Sequence, residues 1–241
     1  MTRLLVAGVD ACPRGWVAVT RDGEAGRLQA VMAPDFAQLM ELLRGAAVVA
    51  VDIPIGLPDR PERGGRPADL MARQLLGPGW GSSVFPAPCR AVLRATSHSE
   101  ANRLSRETSP GGKGLSIQAF HLIHRIGQVD EYLGTPEVQS RVREVHPELC
   151  FWALNGGRAL SRKKATPEGR EERRNLLSRA GFDVADLLEP PSGGRKVAPV
   201  ADVLDAAAAC WTAGRIANGK ACRIPENSGE DSRGLRMEMW Y

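Results

Sequence analysis

Apolar residues along this chain gather in short runs that stop at an acid. Residues 4–9 form one such run, closed by Asp10, and its unbroken apolar character predicts a central buried strand. Pro13 and Gly15 supply turn chemistry, a second strand is expected over 16–20, a tight turn at Arg21-Asp-Gly23, and a third strand over 27–32. A helix over about 35–44 follows, with Asp35 as N-cap and Gly45 at its end. Residues 46–51 are again continuously apolar, the pattern of a strand buried on both faces of a parallel sheet, and stop at Asp52.

Residues 59–140 read as a long helical insertion, with helices near 67–76, 97–107 and 115–133 and an irregular stretch over 77–88. Residues 141–146 then alternate in strand fashion, which puts Val142, Glu144 and His146 on one face. Helices are expected near 147–154, 167–180 and 199–218, an ordinary loop at 190–195, and two short extended segments over 221–224 and 235–241. Three hairpin-linked strands followed by helix, strand, helices, strand and helix fit one mixed sheet with helices on its faces. The reading is of one α/β domain over 1–241.

Composition changes this picture little. The 241 residues are 43% hydrophobic and 25% charged, ordinary for a globular chain, which argues against disorder or a fibre. No apolar window approaches a membrane span, and the apolar start is too short for a signal peptide. Five scattered cysteines without a CxxC pair argue against a disulfide framework or a structural zinc site. Reduced thiols and a cytoplasmic location are therefore expected, while oligomeric state is open.

The net charge of +4 decides less than its distribution. Between Arg158 and Arg174 stand seven basic residues against three acidic ones, the footprint of a phosphate-bearing partner. The other reading is a solvated helix face with local pairs such as Glu171 with Arg174.

The acids carry the chemistry. Asp10 and Asp52 end apolar runs, Glu144 lies inside a strand, and Asp202 and Asp205 share one face of a helix with no charge between Asp205 and Arg215. A buried ionised carboxylate must be paired, protonated or bound to metal, and several together repel unless a cation intervenes. Mg²⁺ or Mn²⁺ favours such oxygen donors. Each acid also has a plainer explanation: Asp10 and Asp52 as turn or cap residues, Asp202 as a charge near a helix start, Glu144 as a partner of Arg141 or Arg143. Asp205, a full turn further into its helix, escapes such explanations.

Several motifs are familiar: Gly8-Val-Asp-Ala-Cys-Pro-Arg-Gly-Trp16, Val51-Asp-Ile-Pro-Ile-Gly-Leu-Pro58, Ser82-Ser-Val-Phe-Pro86 and Glu144-Val-His-Pro-Glu148. With Lys163-Lys-Ala-Thr-Pro-Glu-Gly-Arg170 and Asp202-Val-Leu-Asp-Ala206, they run in order over nearly the whole chain. Together they resemble the family known as "domain of unknown function 429", described as predicted nucleases of the ribonuclease H-like fold. The resemblance implies a five-stranded mixed sheet and a metal-dependent acidic site. Asp10 would be its first-strand carboxylate, Asp52 or Glu144 one from a later strand, and Asp205, alone or with Asp202, the one on the last helix. One of two acids expected just before that helix is missing, since Val200-Ala-Asp202 stands there.

The expected activity is metal-dependent hydrolysis of a phosphodiester or phosphoanhydride bond, with nucleic acid the favoured substrate. Asp10, Asp52, Glu144 and Asp205 form the expected catalytic set, and Asp10, Glu144, Asp202 and Asp205 the ligands of Mg²⁺ or Mn²⁺. Arg14, Lys163, Lys164 and Arg170 are candidates for phosphate contact. His146 could orient a water or simply be hydrogen-bonded beside the site. Lys113 lacks P-loop spacing, and no GxSxG marks Ser82 or Ser83 as a nucleophile. Two rivals remain: a non-catalytic nucleic-acid or protein-binding module on the same fold, and a nucleotide phosphohydrolase of the actin-like kind. The latter needs two such sheets, and only one fits here.

Overall fold

In the computed structural model the opening apolar run forms β1 (Leu5–Cys12), which continues two residues past Asp10 rather than ending there. The structure describes residues 4–23, 26–108, 114–134, 136–189 and 197–241; Lys113 and the loop expected at 190–195 lie outside them. β2 (Gly15–Asp22) and β3 (Leu28–Ala33) complete the opening meander. Helix α1 (Phe36–Leu42) starts at Asp35, whose Oδ1 accepts the Gln38 N–H at 2.8 Å, the expected N-cap. β4 (Val48–Val51) is buried throughout.

Next come α2 (Pro67–Leu76), α3 (His98–Thr108), α4 (Ile117–Leu133) and the single turn α5 (Pro136–Gln139). β5 (Val142–Glu144), α6 (Pro147–Leu154), α7 (Pro167–Arg179), the short α8 (Ala185–Leu188) and α9 (Val200–Ala217) follow. β6 (Arg223–Ile224) and β7 (Met239–Trp240) pair as a small two-stranded sheet. None of the described helices is long and apolar enough to cross a membrane.

The chain groups into two compact units. The first comprises Met1–Asp52, Arg141–Cys222 and Trp240–Tyr241, and the second Ile53–Ser140 with Arg223–Met239. The first holds a five-stranded mixed sheet of order β3-β2-β1-β4-β5, in which only β2 runs against its neighbours. This is the ribonuclease H-like α/β arrangement.

Helices cover both faces of the sheet. On one, α9 crosses β1, β2 and β4. Its closeness has a simple cause, because a Cβ on Gly8 would lie 1.9 Å from the Cys210 nitrogen and 2.2 Å from the Ala206 oxygen. A glycine on the strand and the alanine run Ala206–Ala209 on the helix let the two backbones nearly touch. On the other face Trp16, in register with Ala11, meets Phe36 of α1 edge-on at 5.1 Å between ring centroids.

The second unit is mostly helical and is held by buried charge pairs. Arg66 and Asp69 are bridged at 2.8 Å with almost no exposed surface, and Arg66 also donates to the Ile55 and Gly56 carbonyls.

Candidate active site

Strand alternation and the close helix contact decide where four acids go. Gly8 faces α9, so Asp10, two residues on, projects from the same face of β1. Ala50 is in register with Gly8, which puts Asp52, just beyond β4, on that face too. Asp205 immediately precedes Ala206, whose carbonyl abuts Gly8, and Asp202 lies one turn earlier in α9. Thus the feature that draws α9 onto β1 also carries Asp205 to the level of Asp10. Asp10 and Asp205 are buried, at 8% and 1% exposed, while Asp52 and Asp202 keep some surface.

These carboxylates feel one another. Burial first, then Asp52 and Asp205, push the Asp10 carboxyl well above its ordinary 3.8, with Lys164 opposing. Burial raises Asp52 to about 7; Lys164 lowers it, while Asp205 and Glu148 add to the rise. Asp202 is raised to about 6 by burial and by Asp205. Asp10 Oδ1 accepts the Ala11 N–H at 2.8 Å. Asp205 Oδ2 accepts from the Lys164 ammonium at 2.6 Å, whereas its buried Oδ1 has no hydrogen-bond partner among the described residues.

Lys164 is the cation common to Asp10, Asp52, Asp202 and Asp205. Burial works against its charge, but Asp205, Asp52 and Asp10 together raise its pKa. Its backbone is fastened from several sides. Arg170 donates to the Ala165 carbonyl, Thr166 caps α7, and Glu172 accepts the Ser161 and Arg162 N–H groups. Gly169 approaches so closely that its Cβ would lie 2.0 Å from the Lys163 oxygen. Behind this loop Arg173, fully buried, bridges Glu148 of α6 at 2.6 Å and donates to the Arg162 and Gly169 carbonyls.

The family model described as "Protein of unknown function (DUF429)" matches residues 8–230. The chain belongs to the DUF429 family. No curated protein matches it. A solved structure, T. thermophilus RuvC in complex with Holliday junction substrate, aligns at 13% identity over 90% of this chain and 97% of its own. Its TM-score is 0.28, a likeness too slight to argue from.

Other expected site residues of this DUF429 protein are placed differently. Glu144 is in register with Val51, which in turn pairs with Val9. By alternation all three project from the face opposite Asp10 and Asp52, so the structure does not bring Glu144 to the acid cluster. His146 is the N-cap of α6 and makes no side-chain capping bond. Arg14, expected at phosphate, donates to the Val197 carbonyl at 2.6 Å. Lys163 is exposed and Arg170 partly so, its guanidinium on loop carbonyls. Lys164, also expected at phosphate, is instead in the cluster.

Glu148 is the acid that sequence reasoning passed over. It stood in the Glu144-Val-His-Pro-Glu148 motif, and Pro147 at the helix start was the signal that it opens α6 beside the site.

Among the described residues no group of three or more His, Cys, Asp or Glu side chains forms a ready metal-holding set. In kind, however, the residues fit a hard divalent cation. Its donors would be carboxylate oxygens alone, and Asp205 offers a buried oxygen with no hydrogen bond.

Proposed function

We propose that this DUF429 protein is a metal-dependent phosphodiester hydrolase, most simply a nuclease. Asp10, Asp52, Asp202 and Asp205 would hold Mg²⁺ or Mn²⁺. One observation carries the reading: four acids from two strands and a helix meet on one sheet face with a single lysine among them. Natural cores rarely leave such a surplus of negative charge without a purpose, because each uncompensated carboxylate is costly to bury. A bound ion would supply a water acidified toward neutrality and neutralise charge on the leaving oxygen.

The chain's own residues do the rest. The Ala11 N–H fixes one oxygen of Asp10, leaving the other to turn toward the cluster. Asp205, held by the close Gly8–Ala206 contact, presents Oδ1. The exposed Arg158, Arg162 and Lys163 form a basic approach on the same unit for a polyanion such as nucleic acid.

The test is cleavage of labelled single- and double-stranded DNA and RNA by the purified protein with Mn²⁺. Cleavage is expected in the parent and is expected to fall to background in Asp10→Asn combined with Asp205→Asn. Undiminished cleavage by that double variant would overturn the assignment. Calorimetry showing no uptake of Mg²⁺ or Mn²⁺ at millimolar concentration would replace it with a non-catalytic binding module.

A further inference from the structure

Resting on the metal-site reading above, we propose that Lys164 is the resident counter-cation of the carboxylate cluster. A divalent ion arriving at Asp205 must displace its ammonium, which then turns outward to meet a substrate phosphate.

Two structural facts argue for exchange rather than a permanent bridge. The Lys164 ammonium touches Asp205 Oδ2 at 2.6 Å, yet its side chain is 49% exposed while that of Asp205 is 1% exposed. The carboxylate is locked in the core, and the cation reaches it from solvent. The backbone that carries Lys164 is also pinned on both sides, by Glu172 on Ser161 and Arg162 and by Arg170 on Ala165. What remains free is the four-carbon stem, so the ammonium can swing while its anchor stays in place.

Charge supplies the direction of exchange. Lys164 brings one positive charge to a cluster that also contains Asp10, Asp52 and Asp202. A divalent ion brings two and can accept several oxygens at once. Once it binds, the ammonium loses its attraction to Asp205 and is repelled by the ion. The nearest new anion it can serve is a phosphate drawn to the same ion. Metal loading and substrate capture would thereby be coupled through one side chain, and the linkage would be reciprocal.

Two measurements on the full chain test this. Calorimetric titration with Mn²⁺ should show Lys164→Met binding on the order of tenfold tighter than the parent, because a competing cation is gone. Acetylation of lysine amines, read by mass spectrometry, should find Lys164 in the parent protected relative to exposed Lys163. Adding Mn²⁺ should raise the Lys164 rate several-fold while leaving Lys163 unchanged. The labelling uses unaltered protein and so decides the matter even if Lys164→Met does not fold. A Lys164 labelling rate indifferent to bound Mn²⁺, or a variant that binds Mn²⁺ no tighter than the parent, overturns the exchange while leaving the metal site standing. If the parent takes up no Mn²⁺ at all, both readings fall together.

Discussion

Buried acids in this protein are treated in two opposite ways, one seen at Asp69 and Asp231 of the second unit and the other at the carboxylate cluster of the first. In the second unit Asp69 and Asp231 each meet an arginine and several backbone N–H donors. Asp69 takes the Arg66 guanidinium, the Arg66 N–H and the Ala87 N–H. Asp231 pairs with Arg90 and accepts the Leu57, Arg233 and Leu235 N–H groups. Burial opposes its charge, but those donors hold its carboxyl below the ordinary value. In the first unit Asp10, Asp52 and Asp202 are all raised, and one lysine is shared among them and Asp205. Matched charge is a fastening. Unmatched charge, placed by a strand and a helix that almost touch, is the arrangement on which the proposed cation site rests.

The contrast is broken most severely in the second unit. Arg66→Met leaves Asp69 buried without its guanidinium, and loss of one partner from a buried pair costs about 3–5 kcal/mol. Two carbonyls, of Ile55 and Gly56, lose their donor as well. Chemical denaturation should show this as a large fall in the midpoint. A loss below about 1 kcal/mol would mean that the pair is not the fastening described.

In the first unit the expected sign is reversed. Asp52→Asn removes a charge that its surroundings resist, and should stabilise the metal-free protein by about 1–2 kcal/mol at pH 8. The pH dependence follows from the same shift. Below pH 3.8 Asp52 is protonated both folded and unfolded. Between that value and about 7 the unfolded chain has released its proton while the folded protein still holds it. Unfolding then releases protons, so rising pH favours the unfolded state, and stability drops across this window before levelling above it. Melting temperatures of metal-free protein from pH 4 to 8 should trace that decline, with a shallower slope in Asp52→Asn. Millimolar Mn²⁺ should recover stability above pH 7, since a ligand of the folded state stabilises it by mass action. Stability that rises over the window in metal-free protein would refute the surplus-charge account.

How much of this could be read from sequence depended on the range of the interaction concerned. Apolar runs and capping residues are local, and they placed β4, α2 and α6 within two residues and found β1, which runs three residues beyond its expected end. α5 and α8 escaped notice because four residues hold barely one turn, too little for a period to appear. Alternation correctly put Val142 and Glu144 on one face of β5, but which face that is depends on pairing with Val51, a contact that no local pattern encodes. Arg173 is the sharpest case. It lies in a helix whose composition reads as a solvated basic face, yet it is fully buried on Glu148. Lys164 was legible as a basic residue in a recognisable motif, but not as the partner of Asp205, 41 positions away.

Arg173 and its neighbour Arg174 carry the comparison to its smallest scale. Arg174 bridges Glu171 at 3.1 Å with both side chains about half exposed. Water screens such a pair, and its loss is worth about 0–0.5 kcal/mol. Arg174→Ala should therefore leave the denaturation midpoint nearly unchanged, because neither Arg174 nor Glu171 is deprived of solvent when the partner goes. If that substitution costs more than about 1.5 kcal/mol, exposure does not separate structural from solvated charge in this protein, and the distinction drawn between Arg173 and Arg174 loses its basis. A near-zero stability change that comes with weaker retention on immobilised polyanion would instead assign the outer face of α7 to substrate approach. That result would leave buried Arg173 to hold the helix and the loop bearing Lys164 in place.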